Sequence, residues 1–150
     1  MKILVTGGAG FIGSHVVEAY RAAGHDVVVV DDLSTGFVEN IVPGVRLYRM
    51  DIRDRELAEV FAEEKPDVVN HQAAKANVRE SFEKPLLYAD VNVVGSVNLL
   101  ECCRRHAVKK VVYASTGGAR SYGGLLIPSG RRKSPHPTHT GSVWCQQTPC

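Results

Sequence analysis

The chain has 150 residues, 44% hydrophobic and 23% charged, the balance of a soluble globular domain, which excludes whole-chain disorder. No run approaches the roughly 20 unbroken apolar residues of a membrane span, and the apolar opening 1–5 leads into glycines instead of a signal-peptide core. The expected address is therefore the cytoplasm, with neither membrane nor nucleic acid as partner. The net charge of +2 conceals an asymmetry: residues 1–115 carry 14 Lys+Arg and all 16 Asp+Glu, whereas residues 116–150 carry four cations and no acid.

In chain order, short Val- and Ile-rich runs at 2–6, 26–31, 45–50, 67–71 and 110–115 predict five strands covered on both faces. Between them lie helical patterns: 11–23 ended by Gly24, 53–65 stopped by Pro66, and 85–106 with Pro85 in its opening turn. Alternation of this kind is the signature of βαβ units and a parallel sheet. In the last helix Leu87, Val91, Val94, Val97, Leu99 and Leu100 go most of the way round, so burial on two sides is expected, against the sheet and against a further helix or second subunit. Cys102 and Cys103 are adjacent inside that helix, which argues against a disulfide scaffold. After Thr116 the periodicity stops: residues 117–150 include six glycines and four prolines and read as loop.

The segment Gly7-Gly8-Ala9-Gly10-Phe11-Ile12-Gly13 follows the first strand and opens the first helix. Gly7 allows a sharp turn, Gly10 lets backbone N–H groups approach a pyrophosphate, and Gly13 lets the helix pack closely. A glycine pattern alone could be a tight turn and no more. Here an acid closes the second strand: Asp31 lies 18 residues beyond Gly13, near the ~20 expected of a dinucleotide-binding unit. A carboxylate there accepts hydrogen bonds from ribose hydroxyls and repels a 2′-phosphate, which favours NAD over NADP. The expected fold is α/β, a Rossmann-type doubly wound parallel sheet of order 3-2-1-4-5, truncated after the fifth strand. Residues 1–118 would form an incomplete NAD-binding domain and 119–150 an irregular tail.

The stretch Thr6 to His15 resembles the opening of extended short-chain dehydrogenases, in particular the NAD-dependent sugar-nucleotide epimerases and dehydratases. The resemblance continues through Asp31-Asp32-Leu33-Ser34, Asp51-Ile52-Arg53-Asp54, His71-Gln72-Ala73-Ala74, the Asn92-containing segment 91–95 and Val112-Tyr113-Ala114-Ser115-Thr116. It implies that Gly7, Gly10, Phe11, Ile12, Gly13, Asp31 and Asp32 bind the cofactor. It also implies that Asp51 and Ile52 flank the adenine, that Ala73 and Ala74 pass the nicotinamide ribose, and that Asn92 lies near the cofactor. Thr116 would be a catalytic hydroxyl touching the reacting sugar oxygen. Read without the resemblance, Asp51 and Asp54 could cap a helix, Asn92 could satisfy a buried backbone group, and Thr116 could end a strand. Ser115-Thr116-Gly117-Gly118-Ala119 looks more like the UDP-glucose 4-epimerase branch than the 4,6-dehydratases, which place an Asp-Glu pair after this strand.

The same resemblance implies a UDP-hexose substrate and a catalytic tyrosine followed four residues later by lysine, the lysine lowering the phenol pKa. Positions four beyond the five tyrosines are Gly24, Ile52, Asn92, Gly117 and Leu126, none of them lysine. The chain is thus expected to be inactive alone. One hypothesis is a wrong reading frame. If Ser142 to Gln147 are encoded TCC GTA TGG TGT CAG CAA, reading one base later through the next A gives Pro-Tyr-Gly-Val-Ser-Lys, the missing motif. The alternative takes the tail as native and the chain as a non-catalytic NAD-binding or dimerising module, paired with itself or with an intact homologue. His136, His139, Cys145 and Cys150 do not have the spacing of a closed zinc site, and no metal is expected.

Overall fold

A computed structural model describes residues 1–115 and the strand at 143–146. The elements in order are β1 (Lys2–Thr6), α1 (Phe11–Ala22), β2 (Asp26–Asp31), a 3-10 turn (Val38–Asn40), β3 (Arg46–Arg49), α2 (Leu57–Glu64) and β4 (Val68–His71). There follow α3 (Val78–Glu83), α4 (Pro85–Ala89), a π-helical turn (Asp90–Gly95), α5 (Ser96–Arg105), β5 (Lys110–Ala114) and β6 (Val143–Gln146). The first five strands are parallel in the order β3-β2-β1-β4-β5. This is the doubly wound Rossmann-type order that the Val-rich runs predict.

Two cores explain why the central runs 3–5 and 27–30 carry no polar alternation, while the outer strands β3 and β5 are only partly buried. On one face Ile3, Val5, Val27, Val29 and Val68 pack with Val17 of α1. On the other, Leu4, Val30 and Val69 pack with Ile52, with Leu57, Val60 and Phe61 of α2, and with Leu99, Cys102 and Cys103 of α5. Successive residues of each strand point to opposite faces, so a strand covered by helices on both sides must be apolar throughout. The two cysteines are free and buried.

Three expectations are corrected. Residues 143–146, read as loop, form a sixth strand antiparallel to β5, with Ala114 opposite Val143 and Val111 opposite Gln146. The parallel part of the sheet ends at β5, as expected, and β6 pairs with its outer edge. The helix expected from residue 53 starts at Leu57, because residues 51–54 are tied into a turn: the Asp51 N–H donates to Asp54 Oδ2 (3.0 Å) and the Arg53 side chain folds back onto Asp51. The helix α3 is an addition to the predicted elements; its signal is Asn77, whose Oδ1 accepts from the Arg79 and Glu80 amides (3.0 and 3.2 Å).

The long helix is interrupted by the π turn; within the single chain one of its faces is buried, and the face expected to meet a further helix or second subunit is open. Tyr88, Val91, Leu99, Cys102 and Cys103 are buried, while Leu86, Val93, Val97 and Leu100 are exposed among the described residues. By length and composition Pro85–Arg105 could cross a membrane, with a mean hydropathy of 1.2 over its most apolar window. Its packing against the sheet instead makes it a core helix of this domain.

Candidate functional site

Two cavities open at the C-terminal ends of the parallel strands, the crevice where doubly wound sheets bind ligands. The first, about 100 Å³, is lined by Gly7, Gly10, Asp31, Asp32, Asp51 and Ile52. The second, about 590 Å³, is lined by Ile12, Asn77, Tyr88, Asn92, Tyr113 and Ser115. Residues Gln72, Ala73, Ala74 and Lys75, just beyond β4, line both and form the wall between them.

The glycine turn is built by close approach. Gly7 has φ +70°, and a Cβ there would lie 2.7 Å from the Ala73 nitrogen; a Cβ at Gly13 would lie 2.0 Å from the Gly7 carbonyl oxygen. Neither position accepts a side chain. Gly13 therefore packs against the turn itself and lines neither cavity. Gly10 is the N-cap of α1 and supplies no side chain to cap it. The first-turn amides of the helix have no intrahelical acceptor, so they and the positive end of the helix dipole are available to phosphate oxygens.

Asp31 ends β2 in the expected place, and it also holds the turn. Its Oδ2 accepts from the Ala9 N–H (2.9 Å) and its Oδ1 from the Leu33 N–H (2.8 Å). A carboxylate oxygen can accept more than one hydrogen bond, so each keeps capacity toward a ribose hydroxyl. Asp32 accepts from the Ser34 N–H (2.9 Å). On the opposite wall Asp51 is paired with Arg53, whose Nε lies 2.9 Å from Oδ1 and whose terminal nitrogen lies 2.6 Å from Oδ2. Hydrogen bonding from Arg53 holds the Asp51 carboxyl below the usual carboxylate range. Arg53 also pairs with Asp90 at the start of the π turn.

Asn92 borders the second cavity, but its amide is engaged with the backbone of the dividing wall. Its Oδ1 accepts from the Lys75 N–H (2.8 Å) and its Nδ2 donates to the Lys75 carbonyl (2.9 Å). The Asn92 amide thus satisfies a part-buried backbone segment while the residue borders the cavity. Phe11 is exposed and lines neither cavity; Ile12 lines the second. Thr116 lies outside the described residues, as do residues 117–142 and 147–150, including Tyr122.

Sequence reasoning missed Ser34, Thr35, Met50, Gln72 and Lys75, all lining the first cavity. Lys75 Nζ donates to Ser34 Oγ across the cleft (3.0 Å). Both lie in or next to motifs already singled out, Ser34 closing the Asp31-Asp32-Leu33-Ser34 run and Lys75 following Ala74, and adjacency was the available signal. Together these residues fit a dinucleotide: a side-chain-free turn, an open helix start, a carboxylate at the ribose position and an ionised wall opposite.

The chain matches the family model described as NAD dependent epimerase/dehydratase over residues 3–143. It is 48% identical over 124 residues to the UDP-glucose 4-epimerase of Lacticaseibacillus casei, an alignment covering 82% of this chain and 37% of that relative. Among solved structures it is similar to the Thermus thermophilus UDP-glucose 4-epimerase in complex with NAD, with a TM-score of 0.78 and 47% identity over 90% of this chain and 43% of that one. It is likewise similar to the Thermotoga maritima UDP-glucose 4-epimerase with UDP-glucose, with a TM-score of 0.77 and 47% identity over 79% and 39% of the two chains. The chain thus spans about two fifths of the length of these relatives. The fold, the glycine turn and the family match over residues 3–143 agree: the chain belongs to the NAD dependent epimerase/dehydratase family.

Proposed function

We propose that this chain is the cofactor-binding part of a cytoplasmic sugar-nucleotide 4-epimerase that uses NAD and acts, in its intact form, on a UDP-hexose. The observation that carries the reading is the first cavity, where Gly7, Gly10, Asp31 and Asp51 converge in a protein nearly half identical to UDP-glucose 4-epimerases. Gly7, Gly10 and the first-turn amides at Phe11, Ile12 and Gly13 would receive the pyrophosphate. Asp31 and Asp32 would hold the adenosine ribose, with Asp51 and Ile52 at the adenine. Ala73 and Ala74 would line the path to the nicotinamide ribose, with Asn92 fixing that segment. When bound, NAD supplies a reversible hydride acceptor.

Thr116 would hold the reacting sugar oxygen, and the proton at that oxygen would need a tyrosine–lysine pair, which the 150-residue sequence lacks. Residues 1–118 are the cofactor domain in this reading, and 119–150 a frame-shifted tail. In the intact form the protein dimerises. The competing reading, a native tail on a non-catalytic NAD-binding or dimerising module, makes a different prediction at the level of DNA.

Sequencing the encoding DNA through and beyond the codons for 117–150, together with assays of UDP-galactose to UDP-glucose conversion, tests this. A one-base correction is expected to restore Tyr-X-X-X-Lys and an open frame, and the corrected protein is expected to turn over where the 150-residue chain does not. Codons that cannot yield the motif would sink the frameshift. A corrected protein that binds NAD but converts neither sugar would sink the epimerase assignment.

A further inference from the structure

Beneath the wall that separates the two cavities runs a buried chain of neutral polar groups. Thr6 and His71 are register partners at the ends of β1 and β4, and Thr6 Oγ1 lies 2.6 Å from His71 Nδ1. His71 Nε2 lies 3.0 Å from Ser96 Oγ. Ser96 Oγ donates to the Asn92 carbonyl (2.7 Å) and lies 3.1 Å from the Tyr113 hydroxyl. At the other end the Ala73 N–H donates to Thr6 Oγ1 (3.3 Å). Thr6, His71 and Ser96 are all buried.

The donors and acceptors admit a closed assignment. Ser96 spends its only proton on the Asn92 carbonyl, so it accepts from His71 Nε2–H and from the Tyr113 hydroxyl. His71 Nδ1 is then an acceptor and takes the Thr6 hydroxyl proton, which leaves the Thr6 oxygen free to accept from Ala73. Every proton is used once, and each oxygen or ring nitrogen takes only bonds compatible with it. Desolvation lowers the His71 pKa to about 4, which keeps the ring neutral, as this assignment requires.

We propose that His71 is a positioning residue: through Thr6 it fixes the Ala73 backbone against Gly7 and so sets the spacing of the cofactor cleft. The fit there is close, since a Cβ on Gly7 would meet the Ala73 nitrogen at 2.7 Å. A hydroxyl whose proton is committed to His71 can only accept from Ala73, whereas one free to rotate can aim its proton at that amide. Ala73 and its neighbours line both cavities, so a shift of this wall changes both. His71 touches no cofactor in this account; it acts only by orienting Thr6. The inference rests on the NAD reading for its effect on affinity, but not for its effect on the Ala73 amide.

The test uses the 150-residue chain with four substitutions, reading amide hydrogen exchange at Ala73 without ligand and the NAD dissociation constant by calorimetry. Thr6→Ser keeps the hydroxyl and Thr6→Val removes it. His71→Asn keeps an acceptor near the Nδ1 position, and His71→Gln keeps only a group near Nε2. Thr6→Val and His71→Gln are expected to speed Ala73 exchange and weaken NAD about five- to tenfold, the worth of one buried hydrogen bond, with the double variant no weaker than either single. Thr6→Ser and His71→Asn are expected to stay within about twofold of the parent. Unchanged Ala73 exchange in Thr6→Val, or additive losses in the double variant, would overturn the proposal. If Thr6→Val loses protection across the whole sheet, the His71→Asn against His71→Gln contrast decides. A parent chain that does not bind NAD would remove the functional reading alone, and Ala73 exchange would still decide this one.

Discussion

The two walls of the cleft are held in different ways. On the Asp31 and Asp51 side, ionised carboxylates hold the chain: Asp31 gathers the Ala9 and Leu33 amides, and Asp51 is clasped by Arg53, which reaches on to Asp90. On the Ala73 side the one charged group in the wall is Lys75, which reaches across to Ser34, and Ala73 itself hangs from the neutral series Thr6, His71, Ser96 and Tyr113 with the Asn92 amide beside it. The difference lies in what meets each group. Asp31 is buried but accepts two backbone N–H groups, and Arg53 and Asp90 are partly exposed, where water lowers the cost of charge; His71 is 3% exposed, and an imidazolium there would lack a counter-ion among the described residues. One wall should therefore respond to salt and the other to acid.

The largest effect should come from the turn that both walls share. Gly13→Ala places a methyl 2.0 Å from the Gly7 carbonyl oxygen, and backbone has to move. We expect a loss of about 3 kcal/mol in urea unfolding, at the upper end for overpacking, and no measurable NAD binding. A variant that unfolds at the parent urea concentration would show that the turn yields without cost.

Acid should act next, through the neutral wall. The folded pKa of His71, about 4, lies below the ordinary 6.5, so the unfolded chain takes up the proton first. The stabilisation is complete above pH 6.5 and is lost as pH falls through 4, in total on the order of 3 kcal/mol. The Asp51 and Glu64 carboxyls also sit below their ordinary values, which confines their losses to lower pH. Between pH 7 and 5 the histidine dominates. Urea unfolding over that range should show a slope in the parent chain that His71→Asn abolishes; an equal slope in both would contradict the assignment of a neutral, buried ring.

The smallest effect belongs to the charged wall. Arg53→Leu should cost about 1 kcal/mol, because its ion pairs are partly exposed. That difference should shrink in 1 M salt, where the screening length is about 3 Å. The Thr6→Val penalty should be the same at both salt concentrations. A salt-independent Arg53 penalty would mean that packing of its stem, not charge, holds Asp51.

How far the sequence reaches follows the same division. The parallel sheet was legible because burial on both faces forces runs such as Val27 to Val30 to be apolar, and the turn was legible because Gly7 and Gly13 leave no room for a Cβ. Asp31 was legible by spacing, although its second task of holding the Ala9 amide was not. The neutral network was illegible for a physical reason: Thr6 and His71 are 65 residues apart, and only the β1–β4 register brings them together. The π turn escaped because a lone Gly95 is tolerated inside a helical pattern, and the close approach of Ile52 that requires it is visible only in the fold. Strand β6 escaped because its four residues show no alternation, and its pairing with β5 is made across 28 intervening residues. Asn92 carries a task its motif did not announce, since its amide binds the Lys75 backbone while the residue borders the second cavity.

If Asp31 faces the adenosine ribose, the cleft should take NAD and discriminate against NADP. Calorimetric titration of the 150-residue chain and of Asp31→Asn with NAD and with NADP tests this most directly. The parent is expected to bind NAD, with NADP at least about tenfold weaker from the repulsion of a 2′-phosphate beside the carboxylate, and Asp31→Asn is expected to narrow that difference. Equal affinity of the parent for both dinucleotides, or none for either, would contradict it.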